Sequence, residues 1–213
     1  MDMKNFNLGL YLVTNSDMLK EDEFLQKIEE ACQAGVTLVQ LREKEKTGAA
    51  FCALAKKVKA VTDQYAVPLI INDRVDIAMA IDAAGVHLGQ GDIPVEVARR
   101  LLGPEKIIGA TTKTMDQAMR AKIQGADYLG VGAIFPTKTK VKTLITSVET
   151  LNRIAEATEL PIVAIGGLNQ SNLDMLKGSR ANGIAVVSAI MNAKDTQKAV
   201  ADLKDELEKI LEY

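Results

Sequence analysis

Eight times along this chain, a short run of buried-type residues stops at a polar or glycine turn and gives way to apolar residues at helical spacing. The runs are Gly9 to Thr14, Val36 to Arg42, Pro68 to Ile71, Gly85 to Leu88, Lys106 to Ala110, Asp127 to Val131, Ile162 to Ile165 and Gly183 to Val187. Between them, Phe24, Leu25, Ile28, Ala31 and Cys32 predict a helix ended by Gly35, and Thr47 is placed to cap one carrying Phe51, Leu54, Val58 and Val61. Further helices are predicted over Val75 to Ile81, Val95 to Leu102 with Pro94 in its first turn, Met115 to Ile123, Val148 to Ala157 behind Ser147, and Gln170 to Leu176. The last helix carries Val200, Leu203, Leu207, Ile210 and Leu211 on one side.

Parallel strands need crossover connections, which these helices supply. At 213 residues, the alternation predicts a single (β/α)8 TIM barrel over residues 1-213, with no linker or second domain. A doubly wound open sheet is the rival arrangement. The composition suits either: 47% of residues are hydrophobic but only 4% aromatic, so the core is aliphatic, as a helix-covered parallel sheet requires.

A net charge of -2 and a pI near 5.6 argue against broad attraction to nucleic acid, so any anion bound in a local cationic pocket has to be small. The first residues lack the pattern of a secretory signal, and no segment has the apolar length to span a bilayer. The expectation is a cytoplasmic protein without a membrane or nucleic-acid partner, compatible with a homo-oligomer, in which Cys32 and Cys52 are reduced core residues.

In a barrel, the loops after the strands share one mouth, so polar residues following the apolar runs converge. Gln40, Arg42 and Lys44 alternate with Leu41 and Glu43, and period-two spacing sends all three to one face. There a guanidinium and an ammonium can bind a diphosphate while Gln40 hydrogen-bonds a heterocycle; a solvated basic turn is the alternative. Asn72-Asp73 and Asp92 follow the third and fourth runs, and two neighbouring carboxylates can share Mg²⁺ with a diphosphate. Each aspartate could equally cap the helix that follows it.

Thr111 and Thr112 follow the fifth run; Thr137, Thr139 and Lys140 follow the sixth, where the two hydroxyls can donate to phosphate oxygens and the ammonium can neutralise a leaving diphosphate. Gly166-Gly167 and Val187-Ser188 fall after runs seven and eight, where barrels commonly hold phosphate on backbone N–H groups. His87, the only histidine, lies inside an apolar run and reads as a hydrogen-bonded structural residue rather than a base.

With these residues in place, the chain resembles the thiamine-phosphate synthase family over nearly its whole length. The resemblance rests on Leu10-Tyr11-Leu12-Val13-Thr14, Val39-Gln40-Leu41-Arg42-Glu43-Lys44, Asn72-Asp73-Arg74, Gly85-Val86-His87-Leu88-Gly89-Gln90, Gly130-Val131-Gly132, Phe135-Pro136-Thr137, Thr139-Lys140, Ala164-Ile165-Gly166-Gly167 and Val186-Val187-Ser188-Ala189-Ile190. It implies a transferase of thiamine biosynthesis that joins hydroxymethylpyrimidine diphosphate to hydroxyethylthiazole phosphate, with Mg²⁺ assisting departure of diphosphate.

By that resemblance, Gln40, Arg42, Lys44 and Asn72 would hold the pyrimidine diphosphate, Asp73 and Asp92 the metal, and Lys140 the leaving group, with Arg42 and Lys44 also catalytic. Thr137, Thr139, Gly167, Val187 and Ser188 would hold the thiazole phosphate, and Thr111 would stand in for a family serine. Lys113 occupies a position where the related thiazole tautomerase would want a histidine, so coupling is expected over tautomerisation. A binding homologue that kept the pocket is the third reading.

Overall fold

The eight predicted strands are all present in the computed structural model, which describes residues 6–17, 19–136 and 144–211. They are β1 (Leu10–Val13), β2 (Leu38–Leu41), β3 (Leu69–Asn72), β4 (Gly85–Leu88), β5 (Ile107–Thr112), β6 (Tyr128–Gly132), β7 (Ile162–Ile165) and β8 (Gly183–Val186). Each pairs in parallel with its sequence neighbours, and β1 also pairs with β8 through Leu10 and Ile184, closing a barrel in the order of the sequence. The open doubly wound sheet is thereby excluded.

Alternate strand residues divide the core in two. Tyr11, Val13, Leu38, Ile70, Ile107, Tyr128, Val163 and Ala185 fill the barrel interior, whereas Leu10, Leu12, Val39, Leu41, Ile71 and Val86 pack outward with the helices. The helices are α1 (Glu21–Ala34), α2 (Gly48–Gln64), α3 (Val75–Ala80), α4 (Val95–Leu102), α5 (Met115–Ile123), α6 (Val148–Thr158), α7 (Ser188–Met191) and α8 (Thr196–Ile210). Gly35 ends α1 in the left-handed conformation at φ 102°, and the hydroxyls of Thr47 and Ser147 accept from the N–H groups of Ala50 and Thr150 at the starts of α2 and α6.

Two expectations need correction. No α-helix forms over Gln170 to Leu176; a 3₁₀ turn at Leu173–Leu176 takes its place. The Asn169 amide N–H donates to Asn172 Oδ1 at 2.9 Å, and Asn169 Oδ1 accepts from the Ser171 N–H at 3.0 Å, so side chains satisfy backbone groups that an α-helix would use. The short α7 after β8 was not anticipated. Both cysteines are free, but only Cys32 is fully buried; Cys52 is half-buried against the helix layer.

Candidate active site

The strands' C-terminal ends share one rim, and a cavity of about 210 Å³ opens there. At its β2 side, the Thr14 N–H donates to the Gln40 carbonyl at 2.9 Å and the Thr14 hydroxyl accepts from the Arg42 N–H at 3.2 Å. These bonds hold the chain extended past Leu41, and Gln40, Arg42 and Lys44 all line the cavity as their spacing predicts. Glu43 turns the other way, where Ser16 Oγ donates to its Oε2 at 2.8 Å.

From β3 come Asn72 and Asp73. The Asn72 amide nitrogen is buried at the cavity wall without a well-aligned hydrogen bond among the described residues, its side chain lying close enough to Asp73 to lower that carboxyl. Asp73 sits at φ 61°, a left-handed conformation that aspartate tolerates better than most residues, with its N–H bonded to the His87 carbonyl at 2.9 Å. Its carboxylate pairs with the Lys44 ammonium and lies beside the Asp92 carboxyl.

Neither aspartate caps a helix by its side chain. Arg74 occupies the cap position of α3 and Pro94 that of α4, while Asp92 Oδ2 instead accepts from the Gly89 N–H at 2.7 Å. The capping alternative therefore gives way to an acidic pair on the cavity wall. Burial pushes Asp92 above the ordinary carboxylate range, and the neighbouring Asp73 carboxyl adds to this. For Asp73, burial acts upward too, but the neighbouring Asp92 and Lys44 outweigh it and hold the carboxyl below its usual value.

Such a pair offers hard oxygen ligands without a full protein cage, which suits Mg²⁺ completed by substrate phosphate and water. No cluster of three or more His, Cys, Asp or Glu side chains arranged to hold a metal is present among the described residues.

On the far wall, the loops after β6 and β7 are stitched together: Ile134 N–H donates to Ile165 O and Phe135 N–H to Gly166 O, both at 2.9 Å. Gly166 and Gly167 have φ of 101° and 69°, and a Cβ on Gly167 would stand 2.7 Å from Phe135 Cβ and from the Pro136 carbonyl oxygen. Only glycine fits this turn. Asn172 Nδ2 donates to the Gly167 carbonyl at 2.9 Å and fixes the turn from behind. Gly167, Val187 and Ser188 line the same cavity, as does Thr111 from β5.

Every predicted site residue within the described segments therefore reaches one cavity; Thr137, Thr139 and Lys140 lie outside those segments. Lys113, set beside the site by the tautomerase comparison, also lines the cavity; the sequence reading missed His87 as a lining residue and missed that Tyr11 and Tyr128 lie just below the floor. Tyr11 falls out of phase with Leu10 and Leu12, and that alternation was the available signal for an inward tyrosine.

A closed barrel whose rim gathers cations, a carboxylate pair and a glycine turn defines an enzyme of the phosphate-handling (β/α)8 class. The model of the family described as thiamine monophosphate synthase matches residues 10–190. Thiamine-phosphate synthase of Clostridium tetani is 49% identical over 203 residues, 95% of this chain and 97% of that protein. The Enterococcus faecalis enzyme of the same name is 51% identical over 205 residues, 96% and 97% of the two chains. Among solved structures, thiamine phosphate pyrophosphorylase from Pyrococcus furiosus superposes with a TM-score of 0.86 at 36% identity, covering 96% of this chain and 98% of that one. The chain belongs to the thiamine monophosphate synthase family, a family of transferases.

Proposed function

We propose that this chain condenses hydroxymethylpyrimidine diphosphate with hydroxyethylthiazole phosphate, giving thiamine phosphate and diphosphate. The observation that carries the reading is the convergence of Gln40, Arg42, Lys44, Asn72, Asp73 and Asp92 on one cavity wall, opposite Gly167 and Ser188. The two walls suit two phosphorylated substrates: cations and a carboxylate pair for a diphosphate, a glycine turn for a monophosphate.

In the coupling, the bond between the pyrimidine methylene carbon and the diphosphate oxygen breaks, and the thiazole nitrogen donates its lone pair to that carbon. The electrons of the broken bond leave on diphosphate, so catalysis consists of stabilising a departing anion. Arg42 and Lys44 are placed to draw off that charge, and Lys140 is assigned the same task by family resemblance. Asp73 and Asp92 would hold Mg²⁺, which when bound supplies further neutralisation of the diphosphate. Gln40 and Asn72 orient the pyrimidine half, Thr111 contributes a hydroxyl beside it, and Thr137, Thr139, Gly167, Val187 and Ser188 take the thiazole phosphate.

No base is needed, and the sole histidine is hydrogen-bonded to Tyr128 and Thr111 at the cavity floor, which favours coupling over tautomerisation. No helix among the described residues is long and apolar enough to cross a membrane, and we place the enzyme in the cytoplasm. The test is an assay of both substrates with and without Mg²⁺: equimolar thiamine phosphate and diphosphate are expected only with the metal. No product beside an active control enzyme would overturn the reading.

A further inference from the structure

Five side chains on five different strands form one hydrogen-bonded line across the barrel. Gln40 Nε2 donates to Tyr11 Oη at 2.8 Å, Tyr11 Oη meets Tyr128 Oη at 2.9 Å, Tyr128 Oη meets His87 Nδ1 at 2.9 Å, and His87 Nε2 meets Thr111 Oγ1 at 2.9 Å. Gln40, Thr111 and His87 line the cavity, and the two tyrosines between them are fully buried. Room for the middle is made by Gly109, where a Cβ would lie 2.1 Å from Tyr128 Cζ.

Each phenol has one proton to place, and burial, which raises both, keeps them neutral. With Gln40 as the donor to Tyr11 and His87 neutral, Tyr11 would donate to Tyr128, Tyr128 to His87 Nδ1, and the His87 proton would sit on Nε2, donating to Thr111. One direction of donation therefore runs from end to end. It leaves Gln40 with its Oε1 as an acceptor and Thr111 with a hydroxyl proton to give. Reversing any link reverses all of them.

We propose that Tyr11, Tyr128 and His87 are positioning residues that fix which hydrogen-bonding groups Gln40 and Thr111 turn toward the pyrimidine, an inference resting on the function proposed above. An aminopyrimidine offers an exocyclic amino donor and ring-nitrogen acceptors, the complement of an acceptor at Gln40 and a donor at Thr111. The corresponding oxo-pyrimidine sets its carbonyl against Gln40 Oε1, acceptor against acceptor, unless the amide turns and gives up its bond to Tyr11. The line thereby selects the amino ring.

Because His87 is the only histidine, a protein labelled with ¹⁵N-histidine gives one ring, whose two nitrogen shifts report its tautomer. The expected wild-type ring is protonated at Nε2, and Tyr128→Phe shifts its Nδ1 signal. Gln40→Glu, whose carboxylate cannot donate to Tyr11, moves the proton to Nδ1. A wild-type ring protonated at Nδ1, or a ring unmoved by Tyr128→Phe, overturns the relay.

In the coupling assay, Tyr128→Phe raises KM for the pyrimidine diphosphate about 3- to 10-fold, leaves KM for the thiazole phosphate within about twofold, and narrows the preference for the amino over the oxo substrate. Equal loss on both pyrimidines, or a lowered Tm with unchanged KM values, would reduce these residues to packing. The ring shifts and calorimetric binding of the two pyrimidine diphosphates need no turnover. A wild-type protein that formed no thiamine phosphate would therefore refute the coupling reading, while the relay would still be decided by these measurements.

Discussion

The carboxyls of Asp73 and Asp92, from the loops after β3 and β4, lie side by side at the cavity wall, with Lys44 paired to the first. A pair held this way gains most from a divalent cation. Asp92→Asn, which keeps an acceptor for the Gly89 N–H, is expected to raise the Mg²⁺ concentration for half-maximal rate by about tenfold or more while Tm moves by only about 2 °C. Kinetics at varied Mg²⁺ beside a melting curve make the check. Equal loss of rate and stability would return Asp92 to a purely structural role.

The same pair sets a pH dependence. Burial and Asp73 hold the Asp92 carboxyl above its ordinary range, whereas Asp73 is held below its own, so Asp92 takes up the first proton as pH falls. Cation binding requires that proton to leave. Affinity for Mg²⁺ should weaken with falling pH, and binding should release protons, measurable by titration calorimetry in buffers of different ionisation heat. An affinity flat across the acid range would contradict the assignment.

Gly167→Ala tests the opposite wall. The new Cβ would meet Phe135 and the Pro136 carbonyl at 2.7 Å, in a residue with φ of 69°. A loss of about 1–3 kcal/mol in stability is expected, together with a larger KM for the thiazole phosphate than for the pyrimidine diphosphate. Denaturant unfolding and two-substrate kinetics read the two effects separately.

The two cysteines should differ sharply in reactivity. Burial pushes the Cys32 thiol up to about 12, with Glu29 adding to it, so no thiolate forms there near neutral pH. Cys52 is only half-buried. A thiol reagent is expected to modify one cysteine in the folded protein and both in denaturant, and peptide mapping should place the native label on Cys52.

What was legible in the sequence follows from the range of the forces involved. Strands, caps at Thr47 and Ser147, and the inward set Gln40, Arg42 and Lys44 are dictated by local periodicity, and the structure repeats them. The segment after Gly167 misled because Leu173 and Leu176 have helical spacing, while the deciding bonds come from Asn169 and Asn172. The capping reading of Asp73 and Asp92 failed for a different reason: Asp73 pairs with Lys44, outside any local window, while Asp92 turns back to the Gly89 N–H instead of forward to its helix. His87 was rightly taken as hydrogen-bonded, yet its partner Tyr128 is 41 residues away and the contact between Tyr11 and Tyr128 spans 117, so the line they form had no local signature.

The seam between β1 and β8, where Leu10 meets Ile184, also governs when the site can exist. A chain leaving the ribosome can shape β1 to β4 early, but it cannot join that seam until Val186 has been made. The wall carrying Gln40, Arg42, Asn72 and Asp73, assembled from the first half, therefore waits for the last strand before Val187 and Ser188 stand opposite it. A chain cut before β8 is therefore expected to lack the closed cavity.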